Sequence, residues 1–162
     1  RLAAGTADFS DLPIAKGLHE SIKTIYIIGC GTSWHAGCLA AMVFEEIATI
    51  PTRVEIASEF RHKTSFVDET TLCIAISQSG ETADTIAALK EAKQKNAVTL
   101  AICNVANSTL TRQADSHILL EAGPEISVCS TKAFTSQLVI LYLFALSIAR
   151  NKNYTKAAVK SL

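Results

Sequence analysis

The sequence predicts an α/β protein, a three-layer αβα sandwich built on a five-stranded parallel sheet. Short runs of apolar and β-branched residues alternate with longer segments of helical period along most of the chain. The helical segments separate the strand-like runs and are long enough to form the crossovers that parallel strands require. The third run, TLCIAI at residues 71–76, is apolar along nearly its whole length, as is typical of a strand covered by helices on both faces.

Five segments have the length and composition of strands. The first, TIYII, is rich in β-branched residues and stops at Gly29, and the second places Val54 and Ile56 on one face. The predicted strands are residues 24–28, 52–57, 71–76, 97–103 and 117–121.

Helical segments follow the first, third, fourth and fifth strands. The first helix is closed by Pro51, and the segment NSTLTRQA predicts a short helix capped by Asn107 or Ser108. The uninterrupted apolar run 138–146 predicts a last helix that is either a central core helix, buried all round, or packs one face on another domain or subunit. The predicted helices are residues 35–48, about 82–95, 107–114 and 130 onward.

Composition limits the classes of protein to which the chain can belong. With 49% hydrophobic and 19% charged residues in 162, it has the composition of one globular domain, and fifteen basic residues balance fifteen acidic ones. This balance gives no electrostatic reason to expect nucleic acid or an anionic membrane as a partner. The apolar run 138–146 is shorter than the ~20 residues that span a bilayer, and no signal pattern precedes the domain.

Five cysteines without C-x-x-C spacing predict reduced thiols and a cytoplasmic location. Residues 1–21 are interpreted as a lead-in from an upstream segment, with room for one short helix, and residues 22–162 as a single domain. Because the chain starts at Arg1 instead of Met, we expect it to be a piece of a longer enzyme.

Loops that follow the strands are the candidate sites, because open parallel sheets bind ligands beyond the carboxyl ends of their strands. In the first loop, GCGTSWHAG, Gly29 and Gly31 permit a tight turn, and Ser33 is predicted to cap the following helix. Trp34 stands where a dinucleotide fingerprint has its third glycine, and the chain has no Walker sequence. Taken by itself, this loop is at least as compatible with an ordinary strand–helix turn as with a ligand site.

The loop after the third strand, SQSGET, predicts an anion cradle. Hydroxyl donors from Ser77, Ser79 and Thr82 gather around Gly80 at the start of a helix, where free backbone N–H groups and the positive helix end favour a phosphate. The cradle is neutral, since the loop contains no Lys or Arg. A helix cap and serine turn would explain one polar side chain in this loop, but not all four of Ser77, Gln78, Ser79 and Thr82. A serine-hydrolase elbow is a poor match, because Ser77 and Glu81 occupy its glycine positions.

A third segment, residues 122–138, follows the last strand. Its charges are Glu125 and Lys132. Glu125 could move a proton or hold a sugar hydroxyl, although such a carboxylate is more often a solvated surface charge. The four histidines are scattered without metal-ligand spacing, and we assign them no role.

The motifs CGTSWHAG, SQSGETADT and GPEISVCSTKAFTSQ, in this order and spacing, resemble the first sugar isomerase (SIS) domain of the glucosamine-6-phosphate synthases, the isomerizing glutamine–fructose-6-phosphate aminotransferases. The likeness extends from about Gly5 to Arg150. SQSGET alone indicates only the wider SIS superfamily, whereas STKAFT is far more specific. The resemblance implies a flavodoxin-like SIS architecture.

In that family a glutaminase domain releases ammonia, and two SIS domains convert fructose 6-phosphate to glucosamine 6-phosphate without a metal or organic cofactor. The resemblance implies that the second loop surrounds the phosphate, that the first lines the sugar, and that the third segment adds two contacts, with Glu125 as a weak catalytic candidate. The residues so implied are Ser77, Gln78, Ser79, Thr82, then Cys30, Gly31, Thr32, Ser33, then Val128 and Ser130.

The resemblance also implies that the isomerisation base, the ring-opening histidine and the essential lysine belong to the second SIS domain, its tail or a neighbouring subunit. The chain is therefore expected to bind a hexose 6-phosphate without turning it over alone, and to work within a homodimer. Two alternatives remain: a sugar-phosphate-sensing SIS domain fused to a DNA-binding domain, and a stand-alone phosphosugar isomerase. The first would predict a basic helix-turn-helix segment nearby, and the second its own catalytic base.

Overall fold

The structure, a computed structural model, describes residues 2–3, 6–7, 9, 12–13, 21–63, 66–126 and 130–151. Helices and strands alternate along most of this sequence. They are β1 Leu2–Ala3, β2 Thr6–Ala7, β3 Thr24–Gly29, α1 Thr32–Ile47, β4 Thr52–Ile56, α2 Ala57–Phe60, β5 Thr71–Ser77, α3 Ala83–Gln94, β6 Val98–Cys103, α4 Thr109–Gln113, β7 Ser116–Leu119 and α5 Lys132–Asn151.

The central sheet has the order β4-β3-β5-β6-β7, and every neighbouring pair is parallel. In this register Ile27 of β3 lies opposite both Val54 of β4 and Ile74 of β5. The five-stranded parallel sheet predicted from the sequence is thus confirmed. Strand order reverses between β3 and β5, because the chain leaves β3 toward β4 on one side and returns to β5 on the other. Such a switch point opens a crevice at the carboxyl ends of the two strands.

Helices cover both faces of the sheet, because alternate strand residues point to opposite sides. On one face Ile27 and Ile74 pack with Phe44 of α1 and Phe144 of α5, whose rings lie 6.2 Å apart. On the other face the strands meet α2, α3 and α4 through smaller clusters, one of which includes Tyr26. The predicted three-layer αβα sandwich is confirmed.

Helix α5 buries one side and exposes the other. Leu141, Phe144 and Ala145 are buried against the core, whereas Val139 and Tyr142 are 50% and 42% exposed. Of the two interpretations that the sequence allowed, a helix buried all round is not what this chain forms. One face is left partly exposed, as the second interpretation requires.

Within the described part of the chain, one helix is long and apolar enough to cross a membrane by length and composition. It spans residues 132–150, has a mean hydropathy of 1.6, and is 39% buried. Its apolar character therefore extends further than the run 138–146 suggested. Since the buried side of α5 packs on α1 and the sheet, we interpret it as a helix of the folded domain and not as a membrane span.

Element boundaries match the sequence predictions closely, apart from the start of α1 and the unpredicted helix α2. Helix α1 begins at Thr32, so Ser33 lies inside the first turn and the prediction that it caps the helix is wrong; Gly31 occupies the cap position. The four-residue helix α2 had no periodic signal long enough to predict. Most of residues 1–21, where a short helix was expected, lie outside the described residues, and that prediction stays untested. The described residues 2–3 and 6–7 form the antiparallel pair β1 and β2. Ser108 caps α4, as one of the two alternatives predicted, and its Oγ accepts from the Thr111 N–H.

Candidate functional site

A cavity of about 260 Å³ opens at the carboxyl ends of β3 and β5, where the strand order reverses. All three segments singled out in the sequence reach it. The lining residues are Cys30, Gly31, Thr32, Ser33, Ile76, Ser77, Gln78, Ser79, Thr82, Thr85 and Ser130.

The structure brings together all the described residues that were predicted to contact a ligand. Val128 lies outside the described residues, and the other members of the predicted set line this one cavity. The three segments meet because parallel strands present their carboxyl ends at one edge of the sheet, and because α5 packs beside α1. Their individual roles toward a ligand remain predictions.

The first loop turns at Gly31, whose backbone has φ 55° and ψ −130°. A side chain at this position would be strained, and no atom lies within 4 Å of the place where its Cβ would stand. The turn lets α1 begin at once, so that Thr32 and Ser33 line the cavity at the helix N-terminus. Ser33 is only 6% exposed, and its Oγ accepts a hydrogen bond of 3.1 Å from Gln137 Nε2.

In the second loop, hydroxyls bind the loop's own backbone. Ser77 Oγ accepts from the Gly80 N–H at 3.0 Å and lies 3.2 Å from Thr82 Oγ1, and Ser79 Oγ accepts from the Glu81 N–H at 3.1 Å. These bonds fix the loop before any ligand arrives. An oxygen that accepts an N–H still has its own hydrogen to donate, so the Ser79 hydroxyl and one hydroxyl of the Ser77–Thr82 pair keep a hydrogen for a ligand.

Gly80 presses this loop against the connection between β6 and α4. Its φ is 70°, and a Cβ here would lie 2.1 Å from Ser108 Oγ and 2.7 Å from Cys103 Sγ. The Gly80 carbonyl accepts from the Leu110 N–H at 3.0 Å, and the Gln78 carbonyl accepts from the Asn104 N–H at 3.1 Å. The second loop is therefore anchored on the side of the β6–α4 connection.

The neighbouring carboxylate, Glu81, contacts that connection as well. Its Oε1 accepts a 2.7 Å hydrogen bond from the Thr109 N–H. Hydrogen bonds from Thr109, aided by the charge of Arg112, lower the pKa of Glu81. This carboxylate lies at the start of α4, and it is not among the residues that line the cavity.

The described residues lining the cavity are all uncharged. The positive N-terminal ends of α1 and α3 both lie at this edge of the sheet, and they favour an anion without any cationic side chain. Among the described residues there is no group of three His, Cys, Asp or Glu side chains that could hold a metal ion.

Two lining residues escaped the sequence analysis. Thr85 is fully buried, and its Oγ1 contacts Cys30 Sγ at 3.9 Å, which links α3 to the first loop across 55 positions of sequence. Its place three residues after Thr82 on α3 was a usable signal, since residues at i and i+3 share a helix face. Ile76 ends an apolar strand, where nothing in its residue type indicated a site.

Glu125, the weak catalytic candidate, lies in the segment before α5, and its side chain contacts the N-terminus of that helix. Its Oε2 accepts from the N–H groups of Thr131 and Ala133 at 3.3 and 3.2 Å. A carboxylate in this position stabilises the helix N-terminus, and Glu125 is not among the cavity-lining residues. Ser130 does line the cavity, and its buried Oγ has no hydrogen-bond partner among the described residues.

A parallel sheet of this order, with an uncharged hydroxyl-lined cavity at its switch point, defines an α/β ligand-binding domain. The chain belongs to the SIS domain family, whose model matches residues 19–147. It is similar to the isomerizing glutamine–fructose-6-phosphate aminotransferases of Clostridium tetani, with 51% identity over 88% of the chain, and of Caldanaerobacter subterraneus subsp. tengcongensis, with 52% identity over 88% of the chain. In both cases the chain spans only 23% of the relative's length.

Solved structures agree with this family. The C-terminal domain of glucosamine-fructose-6-phosphate aminotransferase from Francisella tularensis matches with a TM-score of 0.90 and 46% identity, over 97% of this chain and 44% of that one. Glucosamine-6-phosphate deaminase from Thermotoga maritima has a TM-score of 0.74 at 24% identity, over 85% of this chain and 43% of that one, which indicates a shared fold alone. The chain is therefore homologous to part of the isomerase region of these aminotransferases.

Proposed function

We propose that the chain is the phosphosugar-binding half of the isomerase module of a glutamine–fructose-6-phosphate aminotransferase, and that it binds fructose 6-phosphate in the cavity between β3 and β5. The observation that carries this proposal is the second loop, where the hydroxyls of Ser77, Ser79 and Thr82 converge at the start of α3. The related aminotransferases are named for fructose 6-phosphate and for isomerization, which supports the choice of ligand.

A phosphate suits this loop for electrostatic reasons. Three phosphate oxygens need several donors, which the Ser79 and Thr82 hydroxyls and the N-terminus of α3 supply. Because the described lining side chains are all uncharged, they form no ion pair with a phosphate, and we expect a modest affinity that lets the ligand leave. A cavity of about 260 Å³ lies slightly below the ~300–1,000 Å³ found for small-molecule sites, so it suits a small metabolite.

The remaining lining residues suit a sugar. Thr32, Ser33 and Ser130 offer hydroxyls that can donate to or accept from sugar hydroxyls, while Cys30 and Ile76 provide apolar contact. The ligand would thus lie with its phosphate on the second loop and its carbon chain toward the first loop and the start of α5.

Isomerisation needs groups that accept and release protons, and the lining residues that the structure describes include no carboxylate, imidazole or ammonium. We infer that this chain binds the sugar and that the rest of the longer protein supplies the acid–base groups, the second SIS domain and the glutaminase domain. Assembly as a homodimer and a cytoplasmic location are parts of the same proposal.

Isothermal titration calorimetry with fructose 6-phosphate tests the cradle. Ser79→Ala and Thr82→Val should each weaken binding about fivefold, since one hydrogen bond contributes about 1 kcal/mol. Thr24→Val, at the opposite end of β3, repeats the hydroxyl-to-methyl change outside the cavity and should leave affinity unchanged. Wild-type affinity in both loop variants would refute the cradle.

The incompleteness of the site has its own test. Incubation of the chain with fructose 6-phosphate and ammonia should yield no glucosamine 6-phosphate. Product formed at a rate proportional to chain concentration would contradict the inference that acid–base groups lie elsewhere.

A further inference from the structure

Gln137 of α5 is a buried polar side chain that contacts the cavity wall from behind. It is 0% exposed, and its Nε2 donates to Ser33 Oγ at 3.1 Å across 104 positions of sequence. Ser33 lines the cavity, whereas Gln137 is not among its lining residues. Any effect of Gln137 on a ligand would therefore act through Ser33.

A serine hydroxyl has one hydrogen to donate and two lone pairs to accept with. Because the Gln137 amide donates to Ser33 Oγ, this oxygen acts as the acceptor in that bond, and its own hydrogen is directed elsewhere. A hydroxyl that accepts one hydrogen bond is also polarised toward donating another. We propose that Gln137 is a positioning residue that fixes Ser33 as a hydrogen-bond donor to the sugar part of the ligand. The proposal rests on the function proposed above.

A second observation supports this role. Gln137 Oε1 is buried and has no hydrogen-bond partner among the described residues, as is also true of Ser130 Oγ on the cavity wall. An unsatisfied buried polar atom is costly, so an apolar side chain of the same length would stabilise the contact between α1 and α5 better than glutamine does. Its amide is therefore better explained by what it does to Ser33 than by packing.

The test is Gln137→Met, which keeps the length of the side chain and removes both amide groups. Fructose 6-phosphate should bind about fivefold more weakly, because Ser33 loses its fixed orientation. Inorganic phosphate, measured by NMR titration, should bind as it does to the wild-type chain, since the phosphate lies on the second loop. Thermal unfolding should be unchanged or shifted upward, because the unpaired Oε1 is removed.

Gln113→Met is the matched control. Gln113 Oε1 is likewise buried and unpaired among the described residues, but Gln113 lies on α4 and does not line the cavity. The same chemical change there should leave both affinities at their wild-type values.

Ser33→Ala and the Ser33→Ala/Gln137→Met double variant test whether Gln137 acts through Ser33. If it does, the double variant loses no more affinity than Ser33→Ala alone. Losses that multiply would overturn the proposal, as would an unchanged affinity in Gln137→Met or an equal loss for fructose 6-phosphate and inorganic phosphate.

Should Gln137→Met not fold, Gln137→Glu keeps the proposal falsifiable. An ionised carboxylate only accepts hydrogen bonds, so it would take the Ser33 hydrogen away from the ligand. The affinity for fructose 6-phosphate relative to inorganic phosphate should then fall as pH rises through the pKa of the new carboxyl. If this ratio of affinities changes with pH as it does in the wild-type chain, the proposal that Gln137 positions Ser33 is refuted. If the wild-type chain binds fructose 6-phosphate and the Gln137 variants bind it equally well, only this inference is overturned. If the wild-type chain does not bind fructose 6-phosphate at all, the proposed function is overturned as well.

Discussion

Replacement of Gly80 by alanine tests how tightly the second loop is held. At φ 70° an L-residue pays about 1–2 kcal/mol for the left-handed backbone. The new Cβ would also stand 2.1 Å from Ser108 Oγ and 2.5 Å from Ser108 Cβ, closer than van der Waals contact allows. Relief of such an overlap by shifts of backbone and side chain costs about 1–3 kcal/mol. Gly80→Ala should therefore lower the free energy of unfolding by about 2–5 kcal/mol.

Gly123→Ala separates the two contributions. Gly123 also has φ 70°, but the nearest atom to its Cβ position is Lys132 Nζ at 3.9 Å, an ordinary contact. In this variant the free energy of unfolding should fall only by the backbone contribution, about 1–2 kcal/mol. The difference between the variants then measures how closely the second loop approaches Ser108.

The assay is equilibrium unfolding in urea, followed by circular dichroism and analysed by linear extrapolation. Equal destabilisation by Gly80→Ala and Gly123→Ala would refute the reasoning, because it would mean that Ser108 and Cys103 do not confine the loop. A larger loss for Gly123→Ala would refute it as well.

Two further predictions concern titratable groups. Burial opposes ionisation of Asp115. Even so, the pKa of that carboxyl lies below its ordinary value, because Lys93 and Thr99 donate hydrogen bonds to it and Lys93 is positively charged. The stability that the ionised Asp115 contributes is therefore present above about pH 4 and is lost as pH falls through the lowered pKa. The free energies of unfolding of the wild type and of Asp115→Asn should thus converge in acid. A difference between them that stays constant down to about pH 2 would contradict this. Burial raises the pKa of the Cys73 thiol to about 12, so a thiol reagent at pH 8 should modify Cys73 only after denaturation, as peptide mass spectrometry would detect.

The strands could be read from the sequence because their signals are local. Apolar, β-branched runs such as 71–76 specify a strand buried on both faces, and the observed strand Thr71–Ser77 differs by one residue. The hydroxyl cluster of the second loop could be predicted for a related reason, because its members are close in sequence and directly follow a strand. Ser77, Ser79 and Thr82 need only the strand–helix connection to bring them together.

Residues that join the site through distant contacts could not be predicted in this way. Thr85 contacts Cys30 across 55 positions, and Gln137 contacts Ser33 across 104. These pairs exist because α3 and α5 pack beside particular loops, which no window of neighbouring residues records. The error at Ser33 has a similar origin, since the start of α1 depends on the positive φ of Gly31 and not on the nearest residue that commonly caps helices.

The internal bonds of the second loop constrain how it can hold an anion. The N–H groups of Gly80 and Glu81 already donate to Ser77 Oγ and Ser79 Oγ, so a phosphate would meet hydroxyl hydrogens there instead of these two amides. Each hydroxyl is then both fixed and polarised by the amide behind it. This arrangement provides directed donors without a cation, and it costs little reorganisation when the ligand binds or leaves. Under the proposed function, such a loop would hold the phosphate while acid–base groups from the rest of the longer protein act on the sugar.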